Sequence, residues 1–244
     1  MNARRIAAAV SMGVLCHAVF LLAVGSMGLA LATGLQLGRG TLPGGLGFAA
    51  DLLLVLQFPL LHSALLSHRG RPWLHRLSPV GYGRTLGPST YVLLGSLQLL
   101  LAFWCWTPSG IVWHTPTGAT GGLQYALFGA AWLFLGRALW DAGLGLQSGA
   151  VGWWSLLRGT PVDYGGMPTG GLFARCRQPI YLGFALVMLT APTWTPDWLL
   201  LASGWTAYCV TGPRLKESRW ERRFGDPFRA YRSTVPYFLP RFRR

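Results

Sequence analysis

Long apolar runs separated by short polar breaks dominate the chain. They extend roughly from Ile6 to Thr33, Phe48 to Leu66, Thr90 to Trp106 and Leu123 to Leu139, followed by two shorter runs, Ile180 to Ala191 and Trp198 to Val210. A helix needs ~20 residues to cross a hydrocarbon core of ~30 Å, a length the first four runs reach or nearly reach. The last two flank Pro192-Thr193-Trp194-Thr195-Pro196, a turn-rich break that predicts a tight helical hairpin. Extended through their interfacial residues, they complete an all-α, polytopic transmembrane helix bundle of about six helices, with about five as the alternative. Beyond Pro213, Trp220, Phe224, Phe228, Tyr231 and Val235 recur at helical spacings with arginines between them. That stripe predicts a cytoplasmic interfacial C-terminal helix lying on the membrane, broken at Gly225-Asp226-Pro227, serving either as an anchor or as a lid over the hairpin mouth.

Composition supports the membrane reading. Of 244 residues, 52% are hydrophobic and only 11% charged, with 12 tryptophans, more apolar surface than a soluble core requires. A net charge of +14 suggests nucleic acid at first sight, but the basic residues follow the hydrophobic runs rather than one soluble face. Arg4 and Arg5 precede the first run, Arg69, Arg71, Arg76 and Arg84 fill the second loop, and Arg158, Arg175 and Arg177 fill the fourth, while the alternate loops hold almost none. Cytoplasmic loops retain Lys and Arg, so the alternation predicts both termini in the cytoplasm, in what reads as a bacterial inner membrane, with no nucleic-acid partner. The surplus charge also draws the protein to anionic lipid. The N-terminal run is too long for a signal-peptide core and reads as an uncleaved helix. The cysteines Cys16, Cys105, Cys176 and Cys209 form no Cys-x-x-Cys pair, which argues against a zinc knuckle, and no metal site is expected. The chain reads as a single integral membrane domain over 1–244.

Two polar clusters bracket the last hairpin: Arg177-Gln178-Pro179-Ile180-Tyr181-Leu182-Gly183 before it, and Glu217, Phe224-Gly225, Tyr231 and Val235-Pro236 after it. Polar groups beside lipid are expensive, so their recurrence at one membrane face marks a ligand or reaction centre. Pro179 fits the first turn of a helix, where its missing N–H costs nothing. Gln178, Tyr181 and the free N–H groups of that turn then face one ligand, and Arg177 can pair with an anionic group there. Gly183 would allow close approach of a planar ring. Glu217 lies just past a predicted helix C-terminus, where negative charge opposes the helix dipole. Such an acid implies a partner, namely Arg177, Lys216 or a cationic ligand.

These residues resemble the isoprenylcysteine carboxyl methyltransferase-like superfamily of integral membrane methyltransferases. Arg177, Pro179, Tyr181 and Gly183 match its Arg-His-Pro-x-Tyr-x-Gly motif, and Glu217, Phe224, Gly225, Tyr231, Val235, Pro236 and Pro240 match its second. His62-Ser63, Ser89-Thr90-Tyr91, Trp104-x-Trp106-x-Pro108 and Val112-Trp113 are similar to the branch containing the bacterial methanethiol S-methyltransferases and the NnrU-type proteins. The chain departs from the family at Gln178, where the motif has His, at Lys216, where it has the first Glu, and at Trp220 and Phe228.

The resemblance implies an S-adenosylmethionine-dependent methyltransferase acting on a small thiol or a lipophilic acceptor that arrives through the bilayer. It implies a cofactor-binding region over 177–240, with Arg177, Gln178, Pro179, Tyr181, Leu182, Gly183, Glu217 and Tyr231 as cofactor-binding residues. A thiolate acceptor requires no metal, so positioning and electrostatics would carry the acceleration. Lys216 then either points at the cofactor carboxylate or marks a site that has drifted. On this reading Glu217→Ala and Tyr181→Ala abolish cofactor binding and leave the protein folded. The alternatives are a non-catalytic NnrU-like accessory protein that keeps the fold, and a small transporter, which the scarcity of mid-membrane ionisable groups disfavours. No Gly-x-Gly-x-Gly follows a strand, which excludes a soluble Rossmann-type methyltransferase. The acceptor and the oligomeric state are not encoded in any motif.

Overall fold

The computed structural model describes residues 3–240. Its elements are α1 (Ala3–Ala32), α2 (Gly44–Leu65), α3 (Arg71–Leu77), α4 (Gly83–Trp104), α5 (Gly118–Asp141), α6 (Leu144–Gln147), α7 (Ala150–Arg158), a 3-10 turn (Gly171–Ala174), α8 (Pro179–Leu189), α9 (Pro196–Thr211), α10 (Pro213–Phe224) and α11 (Asp226–Thr234). The described residues contain no β-strand, only an isolated antiparallel bridge between His114 and Trp194. Three helices, α1, α2 and α4, are long and apolar enough to cross a membrane, and α8 is a shorter apolar helix. The chain packs into two compact units, residues 3–30, 37–108 and 144–165 in the first and 31–36, 109–143 and 166–240 in the second.

In the first unit, Ala9 and Met12 of α1, Leu86 of α4 and Leu156 of α7 form a buried apolar cluster. Small residues let these helices meet closely. A Cβ on Gly13 would stand 2.8 Å from the Trp153 ring, and the Ser89 hydroxyl donates to the Gly149 carbonyl at 2.6 Å and accepts from the Trp153 N–H at 3.0 Å. Trp153 is thereby folded inward, 5.8 Å from His17 edge-on, whereas Trp154 turns outward under the Arg158 guanidinium. Along α2, Leu46, Leu53 and Leu60 are exposed. A helix satisfies its own backbone, so such a face is stable against hydrocarbon. Two polar pairings lie within the unit: Gln98 Nε2 donates to Gln57 Oε1 at 3.2 Å, and the Thr107 N–H donates to the buried Asp51 carboxylate at 2.9 Å.

The second unit is built on α5, α8 and α9. Gly183 of α8 faces Leu135 of α5, and a Cβ there would come within 3.0 Å of the Leu135 Cα. The predicted break between the last two helices is a sharp turn. Thr195 caps α9 by accepting from the Trp198 N–H at 2.9 Å, Pro196 takes the first helical position, and Asp197 follows in the first turn. Asp197 is buried but satisfied, accepting from Ser109 N–H at 3.0 Å and from Gln36 Nε2 at 3.0 Å. The break expected at Gly225 is also present. Gly225 has φ +59°, a conformation that side-chain-bearing residues avoid, and it divides α10 from α11.

Candidate functional site

The two polar clusters meet at the start of α8. Pro179 occupies its first position, which sets where the helix begins and leaves the N–H groups of Ile180 and Tyr181 without helical partners. Gln178, immediately outside the helix, is 0% exposed, and Arg177 and Glu217 are each 9% exposed. Arg177 Nε donates to Glu217 Oε1 at 2.9 Å, with Nη2 3.4 Å from Oε2, a two-pronged ion pair. Gln178 Nε2 donates to the same Oε1 at 2.8 Å. Of the three partners that the sequence offered for Glu217, the ion pair is with Arg177.

The dipole argument for Glu217 does not hold in the structure. The chain ends α9 at Thr211 and starts α10 at Pro213, so Glu217 lies in the second turn of a new helix rather than past the end of an old one. Proline makes the difference, because it interrupts the backbone hydrogen-bond ladder.

Arg177 also binds the tail. Its Nη1 donates to the carbonyls of Arg232 at 3.0 Å and Val235 at 2.6 Å, and its backbone N–H donates to the Pro236 carbonyl at 2.9 Å. The Tyr231 hydroxyl donates to the Phe173 carbonyl at 2.6 Å, and the Tyr237 hydroxyl to the Val210 carbonyl at 2.7 Å. The tail is therefore fastened over the first turn of α8. Burial raises the pKa of both phenols, Tyr231 and Tyr237, so they remain donors throughout the working pH range.

The two departures from the family motifs touch each other. Lys216 Nζ donates to Gln178 Oε1 at 3.2 Å, so a continuous polar chain runs from Lys216 through Gln178 and Glu217 to Arg177. A glutamine can accept from the lysine and donate to the glutamate at once, which an imidazole in one tautomer can also do but a hydrocarbon cannot. Lys216 is partly buried, with Nζ 4.3 Å from the centre of the Trp220 ring, 5.6 Å from Phe173 and 5.7 Å from Tyr181. Burial brings its pKa down to about 8, against the raising influence of Glu217. The neighbouring Cys176 thiol is pushed up by burial, partly offset by the Gln178 backbone N–H and Lys216.

The structure thus brings together Arg177, Gln178, Glu217 and Tyr231, with Pro179 and Tyr181 beside them. Leu182 is buried, and Gly183 faces Leu135 of α5. Phe173, Tyr208 and Tyr237 escape the sequence reading, although Tyr208 makes an edge contact with Tyr181 at 6.3 Å between ring centres. A helical register of Tyr208 against Tyr181 across the hairpin was the available signal.

Relatives are found at moderate identity. The chain is 33% identical over 199 residues to methanethiol S-methyltransferase 2 of Bradyrhizobium diazoefficiens, covering 78% of this chain and 72% of that protein. It is 30% identical over 203 residues to the methanethiol S-methyltransferase of Mycobacterium tuberculosis, covering 81% and 80%. The methanethiol S-methyltransferase of Pseudomonas deceptionensis is 29% identical over 201 residues. No family model matches the chain, and no solved structure matches it.

Proposed function

We propose, from the premise that the chain belongs to the family of the methanethiol S-methyltransferases, that it is a membrane methyltransferase using S-adenosylmethionine to methylate a small thiol. The observation that carries this reading is the unbroken chain from Lys216 through Gln178 and Glu217 to Arg177, built beside Tyr181 and the first turn of α8. The cofactor supplies an activated methyl group on a sulfonium sulfur. The residues present fit it: unpartnered N–H groups of a helix N-terminus suit its carboxylate, and the faces of Tyr181, Trp220 and Phe173 suit a sulfonium or a planar base.

In this reading the site residues divide the work. Tyr181 and the α8 N-terminus contact the cofactor. Arg177, Gln178, Glu217 and Tyr231 hold α10 and the tail in place around it and exclude water, so that charges inside act in a medium of lower polarity than bulk solvent. Pro179 fixes the start of α8, Leu182 packs its buried side, and Gly183 fixes its distance from α5. The region over 177–240 is the cofactor-binding part of the chain. Helices α5, α8 and α9 join the three long apolar helices in about six crossings of a bacterial inner membrane, with both termini and the interfacial tail cytoplasmic.

The linked departures count against the non-catalytic accessory reading. A decaying site has no reason to place a donor at 216 opposite an acceptor at 178. The test is calorimetric titration of purified protein in detergent with S-adenosylmethionine. Micromolar binding that is lost in Tyr181→Ala supports the site, and absence of binding at millimolar cofactor refutes it.

A further inference from the structure

Lys216 is a cation without a carboxylate of its own. Among the described residues no carboxylate oxygen lies within salt-bridge distance of its Nζ, because the adjacent Glu217 is committed to Arg177 and Gln178. Its hydrogen-bond acceptor among those residues is the Gln178 side-chain carbonyl, which uses one of three ammonium protons. The remaining surroundings are the rings of Trp220, Phe173 and Tyr181. Two ammonium protons are left for an incoming acceptor, and a sulfur atom, which makes favourable contacts with aromatic rings, suits this surrounding better than a strongly hydrated carboxylate.

We infer that Lys216 is the residue that receives the acceptor: its side-chain nitrogen takes the proton of an incoming small thiol and then holds the thiolate sulfur among the rings of Trp220, Tyr181 and Phe173. The inference rests on the methyltransferase reading above and names the group that prepares its nucleophile. In the step, the S–H bond breaks, its electron pair stays on sulfur, and the proton passes to the neutral amine of Lys216 to give an ammonium. Once the sulfur is methylated it carries no charge to hold that ammonium, which returns its proton to water. The depressed basicity of Lys216 fits the step, since a base works best with a pKa near the working pH. The charged and titratable groups facing Lys216 are Glu217 and Arg219 from α10, Cys176 from the segment before α8, and Tyr181 from α8.

The inference makes Lys216 replace the acid expected at this position of the family motif by a base. The exchange is possible because Gln178, also changed, presents an oxygen to it.

The experiment follows protons rather than turnover. Ethanethiol at millimolar concentrations is titrated calorimetrically into the full-length protein without cofactor, in two buffers of different ionisation heat. At pH 7, where Lys216 is already an ammonium, thiol binding should release about one proton to the buffer, and at pH 9, where the amine is largely neutral, about none. Lys216→Met should exchange no proton at either pH, and Lys216→Arg, which cannot lose its proton, should release about one at both. Lys216→Met should also lower kcat/KM for ethanethiol about 100-fold. Thermal unfolding in detergent reports whether each variant is folded, and S-adenosylmethionine binding is measured separately. Absence of thiol binding, binding without proton release at pH 7, or a Lys216→Met variant that behaves as wild type overturns the inference. So does a folded Lys216→Met variant that has lost cofactor affinity, since Lys216 then serves the cofactor. Failure of the wild-type protein to bind S-adenosylmethionine would instead refute the methyltransferase reading itself.

Discussion

Replacing Glu217 by Gln keeps the shape of the side chain and removes its charge, which leaves the Arg177 guanidinium buried among neutral acceptors only, the new amide oxygen and the backbone carbonyls of Arg232 and Val235. At an effective dielectric of about 20, unit charges 2.9 Å apart attract by about 6 kcal/mol. Desolvation of both groups offsets much of this, and breaking one side of a buried pair typically costs about 3–5 kcal/mol. Because Gln still offers an oxygen to Arg177 and Gln178, the lower end applies, about 3 kcal/mol. For a chain of this size that corresponds to a fall in Tm of about 6–12 °C, read by thermal unfolding in detergent micelles. Arg177→Met should cost more, since it also releases the carbonyls of Arg232 and Val235. The double variant should be less destabilised than the sum of the two by about 2 kcal/mol, because removing both charges leaves neither unpaired. Limited trypsin digestion gives an independent readout, as an unfastened tail frees the helical backbone at the already exposed Arg222, Arg223 and Arg229 for cleavage. A Tm within about a degree of wild type for Glu217→Gln, with an unchanged digestion pattern, would refute the claim that this pair fastens the tail. The same reasoning revises the expectation that Glu217→Ala leaves the fold untouched and makes Tyr181→Ala the cleaner probe of cofactor contact.

Four further outcomes follow from the geometry. The folded-state pKa of Lys216, about 8, lies below its ordinary value of 10.5, so below pH 8 both states are protonated and its burial cost is fully present. Between those pH values the unfolded chain holds the extra proton, so stability should rise with pH by about 3 kcal/mol, and Lys216→Met should abolish that slope in Tm measured against pH. Tyr231→Phe removes the hydroxyl that donates to the Phe173 carbonyl and should cost about 1–2 kcal/mol in thermal unfolding. Gly225→Ala strains a positive-φ junction and should destabilise by about 1 kcal/mol or more while weakening cofactor binding through displacement of α11 in calorimetry. Lys216→Glu should destabilise by placing two carboxylates side by side, and adding Gln178→His should restore part of the lost Tm.

Much of the fold was legible because lipid imposes a simple rule on long segments. The apolar runs locate α1, α2, α4, α5, α8 and α9, and the prolines at 192 and 196 locate the turn between the last two. Short helices such as α3 and α7 were not foreseen, since seven to nine residues with Gly or Trp among them show no decisive period. The motif residues at 177, 178, 217 and 231 do converge, but their partners could not be read. Arg177 bonds to carbonyls at 232 and 235, and a carbonyl has no letter in the sequence. The link between Gln178 and Lys216 spans 38 positions, so two departures that look like separate losses are a single contact. An approaching helix and an approaching ring ask the same thing of a missing side chain, and at Gly183 the structure places Leu135 of α5 against it.

The clamp on Arg177 has a consequence for how the protein is made. Its carbonyl acceptors lie 55 and 58 residues downstream, so the ribosome delivers the arginine well before anything that can satisfy it. During that interval Arg177 is a bare positive charge next to an apolar segment, and in the topology proposed above its effect is to hold that end of the hairpin on the cytoplasmic side during insertion. Only when residue 236 has been synthesised does the same guanidinium become the bolt of a finished structure. In that topology one side chain acts first as a sorting signal and afterwards as a structural fastener, and a chain truncated before 236 lacks the Pro236 carbonyl that accepts from the Arg177 backbone N–H.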